Sequence, residues 1–119
     1  MIIKNYINLP QAANPHGIQS YKLHDSRHAQ IMHLLLMPGE ELKPHITPVD
    51  VTFYVLEGKP NIMVGEENIQ VKTDDLVESP KNIVHCIYNK TEAVVRVLVM
   101  KLPKPTAATT ILDSNKKDK

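Results

Sequence analysis

The chain has 119 residues and a mass of 13.4 kDa, enough for one domain with a modest core built from its 42% hydrophobic residues. Lys+Arg of 14 against Asp+Glu of 13 leaves a formal charge of +1, which argues against an electrostatic grip on nucleic acid or on an anionic membrane. The single cysteine, Cys86, cannot close an internal disulfide, the opening MIIKNYINLP is too short and polar for a secretory segment, and no apolar run could span a bilayer, so a cytoplasmic protein in a reducing compartment is expected.

In chain order the sequence reads as short strands separated by turns. Ile2 to Leu9 resembles an edge strand closed by Pro10, and Gln11 to Gly17 reads as a loop. Ile18 to Leu23 and Gln30 to Met37 read as strands on either side of the polar turn His24 to Arg27. Pro38-Gly39 signals a turn. Val51 to Leu56 is rich in β-branched and aromatic residues, and Glu57-Gly58 ends it. Asn61 to Val64 and Asn68 to Lys72 flank the tip Gly65-Glu66-Glu67 and read as a hairpin. Ile83 to Tyr88 and Ala93 to Leu102 complete the set. Strands of this length at a spacing of roughly 8–12 residues predict an all-β sandwich or barrel. Residues 1–102 are expected to form the barrel domain, and 103–119 a C-terminal extension. In that extension Ile111-Leu112 is expected to pack on the body, and Asn115 to Lys119 to be disordered.

Side chains alternate across a strand, so parity assigns faces. His45, Thr47, Val49, Val51, Phe53 and Val55 form one set, apolar beyond Thr47, and should face the interior. Ile83, His85 and Ile87 share one face of the later strand, with Val84, Cys86 and Tyr88 on the other. Two inward histidines, His45 and His85, therefore point into one barrel if their strands adjoin. Phe53 is the best inward aromatic. Cys86 reads as a packed side chain, Asn89 as a turn hydrogen-bonding residue. His16, His24 and His28 read as solvated loop residues.

The spacing around the two histidines resembles the two motifs of the cupin family. Gly39, His45 after five intervening residues, and Gly58 match the first motif, over 39–58, with Thr47 and Val51 standing where its second His and its Glu belong. Pro80, His85 and Asn89 match the second motif, over 75–89, with Asp74 and Asp75 around its first Gly position and Asn82 in place of its second Gly. The resemblance implies a single-domain double-stranded β-barrel of jelly-roll type. It also implies four metal-ligand positions, of which His45 and His85 keep the ligand while Thr47 and Val51 replace a histidine and a glutamate.

For function, the resemblance and the residues together lead to a barrel that binds a small molecule, with His45, Thr47, Val51, Phe53 and His85 lining its pocket. A divalent Fe, Mn, Ni or Zn ion held by His45 and His85 is one expectation, and no cofactor is the other. Two imidazoles fall short of the three protein ligands usual at a catalytic site. The candidate third ligands are His33, if the set Ile31, His33, Leu35 faces inward, and Asp50, if a bulge rotates it. Alternatives are a metal-dependent dioxygenase, isomerase or decarboxylase, and a metal-free isomerase with His45 or His85 as general base. Partners are expected to be a small molecule and, by family analogy, a second copy in a homodimer joined through Ile2 to Leu9.

Overall fold

The computed structural model describes residues 1–107 and 109–112. Its strands are β1 (Gln19–Asp25), β2 (Gln30–Leu36), β3 (Glu41–Ile46), β4 (Val51–Glu57), β5 (Asn61–Val64), β6 (Glu67–Gln70), β7 (Leu76–Ser79), β8 (His85–Tyr88), β9 (Val95–Lys101) and β10 (Thr110–Ile111). They form two antiparallel five-stranded sheets, ordered β1-β2-β9-β4-β7 and β10-β3-β8-β5-β6. The all-β jelly-roll expectation holds. No helix among the described residues is long and apolar enough to cross a membrane.

Parity builds the core. Met32 pairs with Val99 and Val99 with Phe53; Leu34 pairs with Val97 and Val97 with Val55. These rows run across the first sheet and meet Leu42, Ile62 and Ile87 of the second. Phe53, Val55, Leu36, Ile87, Val95 and Val97 are fully sealed from solvent. Burying a side chain such as Phe53 contributes about 2–3 kcal/mol.

Backbone conformation explains the turn positions. Gly39 and Gly58 lie at φ +84° and +90°, in the left-handed region that glycine enters without a Cβ clash. In the second motif Asp74 (φ 74°) and Asn82 (φ 65°) take that conformation, as the short polar residues Asp and Asn can. Asn89 is a buried tie: its Nδ2 donates to the carbonyls of Leu36 and Ala93, and its Oδ1 accepts from the Thr91 amide and hydroxyl.

The first segment differs from expectation. Ile2 to Leu9 forms no strand; Tyr6–Asn8 makes a 3-10 turn, capped by the Asn5 side chain accepting from the Ile7 amide at 3.1 Å. This local hydrogen bond competes with extended pairing, and the segment has no ladder partner among the described residues. The strands β3 and β7 also go beyond the expected set, because their sequences ELKPHI and LVES mix charge, proline and apolar residues. Beyond β9, the pair Thr110–Ile111 adds to the second sheet against Ile46 and His45, and the Leu112 amide donates to Pro44. The expected disorder of Asn115 to Lys119 lies outside the described residues.

Candidate ligand cavity and histidine pair

β3 and β8 are neighbours, and His45 and His85 stand opposite each other in register. Their Nε2 atoms are 3.0 Å apart and their rings meet edge-on. The outer nitrogens fix the protons. His45 Nδ1 lies 2.5 Å from the Lys43 carbonyl, which can only accept, so Nδ1 carries hydrogen and Nε2 accepts. His85 Nε2–H then donates to His45, and its Nδ1 accepts from the Ser79 hydroxyl at 2.7 Å. The result is a directed chain, Ser79 to His85 to His45 to the Lys43 carbonyl, with both rings neutral. Burial first, then the repulsion a protonated His45 would exert and the charge of Lys101, push the His85 pKa down to about 3, and burial is the main cause that lowers His45. Phe53 closes the other side of His85 with ring centroids 5.2 Å apart.

Thr47, Val51 and Phe53 all lie buried on the inner face with the histidines. Thr47 Oγ1 is 3.4 Å from His85 Nε2, a long contact. The two expected third ligands lie elsewhere. His33 is buried, but on the outer face of the first sheet: Met32, Leu34 and Leu36 take the inward positions of β2. Its ring stacks on Tyr6 at 4.0 Å, and its Nε2 accepts from Arg96 at 3.1 Å. Asp50 is exposed and accepts from the Lys81 amide, so no bulge turns it inward. Cys86 is buried, and burial raises its thiol pKa.

A cavity of about 650 Å³ begins at His45. Ser20, Lys22, Gln30, Met32, Leu34, Val99 and Lys101 line it from the first sheet, Leu42 and His45 from the second. The loop Ala12 to Ile18 and residues Thr109 and Ile111 cover it. Its polar lining includes a residue that sequence reasoning misplaces. His16, read as solvated, stands 5.5 Å from the His45 ring, and its Nδ1 accepts from the Lys43 amide at 2.9 Å. Asn14 places it there: its Nδ2 donates to the carbonyls of Ala12 and Ile18 while its Oδ1 accepts from the amides of His16 and Ile18. Burial, then His45, Lys43 and Lys101, lower the His16 pKa to about 4. The motif Asn14-Pro15-His16-Gly17 announces only a turn, so nothing in the sequence points His16 inward.

Lys101 is a second residue that the sequence reading passes over, although parity carries a signal for it. It continues the inward series Val95, Val97, Val99 on β9 and pairs in register with Val51 on one side and Gln30 on the other. Its charge bears on His16, His45 and His85 alike.

The donor set does not fit a resident catalytic divalent ion. Two Nε2 atoms converge, but no group of three His, Cys, Asp or Glu side chains capable of holding a metal exists among the described residues. Val51 offers only methyl groups, and its register neighbour Lys101 brings positive charge where a cation would need negative charge.

Comparison with known proteins agrees with this architecture. The family model described as "Cupin domain" matches residues 32–101. An uncharacterized protein of Methanocaldococcus jannaschii is 27% identical over 85 residues, covering 71% of this chain and 73% of that one. The crystal structure of TT1209 from Thermus thermophilus superposes with a TM-score of 0.76 at 26% identity, over 88% of this chain and all of that one. The polyketide cyclase RemF from Streptomyces resistomycificus superposes at 0.81 with 15% identity, over 95% and 86% of the two chains, a likeness of fold alone.

Proposed function

The chain belongs to the cupin domain family, and from that premise we propose that it binds a small molecule in the cavity between its sheets. The observation that carries this reading is the cavity itself. Its volume of about 650 Å³ falls within the range of ligand pockets, and its lining mixes apolar side chains with a few convergent polar ones. His45 forms one wall, and its proton chain to His85 and Ser79 holds that wall in one orientation. The alternative, a metal-dependent cupin enzyme, draws on the 3.0 Å convergence of the two Nε2 atoms, but two imidazoles beside an ammonium support it less well.

The test is amide chemical-shift mapping of the labelled protein against a library of small neutral and charged compounds. Binders should perturb Ile18, Leu34, Leu42 and Lys101 together. Shifts confined to the outer groove of Tyr6, His33 and Arg96 would reject the cavity as the binding site.

A further inference from the structure

Resting on that reading, we infer that the cavity is built for an organic monoanion: a carboxylate head at Lys101 and an apolar body against Ile18, Met32, Leu34, Leu42 and Val99. Three observations converge on it. Lys101 occupies an inward position of β9, in the row Gln30–Lys101–Val51, where the three preceding inward residues are valines. An ammonium at such a position is costly unless something negative meets it. Among the described residues no carboxylate lies within ion-pair distance of Lys101; the pairs formed are Lys22–Asp25, Lys72–Asp75, Arg96–Glu57 and Lys104–Asp25.

The rest of the lining adds no negative charge. It contains no Asp or Glu; Lys22 is already paired with Asp25, and His16 and His45 are neutral rings, which leaves Lys101 as the cation of the cavity among the described residues. His16 contributes a donor rather than an acceptor. Its Nδ1 is taken by the Lys43 amide, so the neutral ring keeps hydrogen on Nε2. His45, by contrast, has both nitrogens engaged, one at Lys43 and one at His85. A carboxylate therefore meets one cation and one imidazole N–H, with Ser20 and Gln30 as further polar neighbours. Burial lowers the Lys101 pKa, and a bound carboxylate would raise it again.

Ligand size follows from the volume. A head at Lys101 leaves room for an aliphatic or single-ring body on the apolar wall. A bare inorganic anion would leave Ile18, Met32, Leu34, Leu42 and Val99 without a partner.

The experiment is calorimetric titration of the full chain with straight-chain, branched and aromatic monocarboxylates, each paired with its uncharged primary amide. At least one carboxylate should bind about ten- to a hundredfold more tightly than its amide. Lys101→Gln should remove that difference by weakening the acid and sparing the amide, and Lys101→Arg should retain it. Thermal melts of both variants confirm that the comparison is made on folded protein. Amides binding as tightly as acids, or Lys101→Gln leaving the preference intact, would overturn the inference while the small-molecule reading stands. If neither acids, amides nor a wider neutral library bind, both fall together.

Discussion

His85 is enclosed by His45, Phe53 and Ser79, and at 1% exposure it has no water to stabilise an added proton. The consequence is a pH dependence whose sign can be worked out. His85 falls to about 3 and His16 to about 4 in the folded protein, against 6.5 in an unfolded chain. Well above pH 6.5 both states are neutral at these sites and stability is flat. Below it, the unfolded chain takes protons that the folded chain refuses, so unfolding becomes progressively easier until the folded values are reached. His33 and His45, also lowered by burial, act in the same direction. The slope for His85 approaches about 1 kcal/mol per pH unit. Urea midpoints should thus fall between about pH 6.5 and 4.5, and His85→Gln should flatten part of that fall. Asp25, held below the usual 3.8 by hydrogen bonding to Lys104 and Lys22, loses its pairing only at lower pH, so the window isolates the histidines. A midpoint that stays level across it would show that the rings are protonated in the folded state.

At the scale of elements, the tightest constraint lies where β4 ends. Gly58 sits at φ +90°, and a Cβ there would come within 2.7 Å of the Val94 carbonyl and 2.8 Å of the Val95 side chain. Backbone cannot swing aside as a side chain can, and Val95 is itself fully buried at the edge of the core. Gly58→Ala should therefore cost roughly 2 kcal/mol or more, read as a lowered urea midpoint, whereas Gly17→Ala, with nothing within 4 Å, meets only the penalty of its positive φ. Equal losses at the two glycines would remove the clash as the explanation. The strands themselves differ in how well the sequence exposes them. In β4 one parity set, Val51, Phe53 and Val55, is wholly apolar and the other holds Thr52 and Tyr54 with a single aliphatic, Leu56, so the inward face can be read directly. In β2 both sets are apolar apart from the leading Gln30 and His33, because the Tyr6 turn and Arg96 cover its outer face. A strand covered on both sides loses the alternation that reveals its facing, and that is why the sequence leaves His33 open as an inward ligand. His45 and His85 are legible from motif spacing, and parity along β9 is enough to turn Lys101 inward. His16 is not legible, since its position depends on the side-chain clasp of Asn14.

Taken as a whole molecule, the chain leaves its largest exposed apolar residues in one short piece. Ile2, Ile3 and Ile7 are 85%, 82% and 72% exposed, while Tyr6 between them anchors the same segment to His33. Single exposed apolar side chains are ordinary, but three isoleucines and Met1 within seven residues form a patch that water disfavours. We propose that a second copy of the chain covers it, giving a homodimer. The geometry allows this without disturbing the cavity, because the segment lies on the outer face of the first sheet, whereas the cavity opens between the sheets. Sedimentation at micromolar concentration should show a species of twice the 13.4 kDa chain mass. Ile2→Glu combined with Ile3→Glu should shift it to the single-chain mass. The thermal midpoint at low concentration should be unchanged, because neither side chain packs on its own core. A wild-type protein that sediments only at the single-chain mass would reject the dimer and leave the patch without a partner. The same double variant that stays dimeric would instead move the interface to an open sheet edge, β1, β6, β7 or β10, where unpaired backbone groups supply the contact.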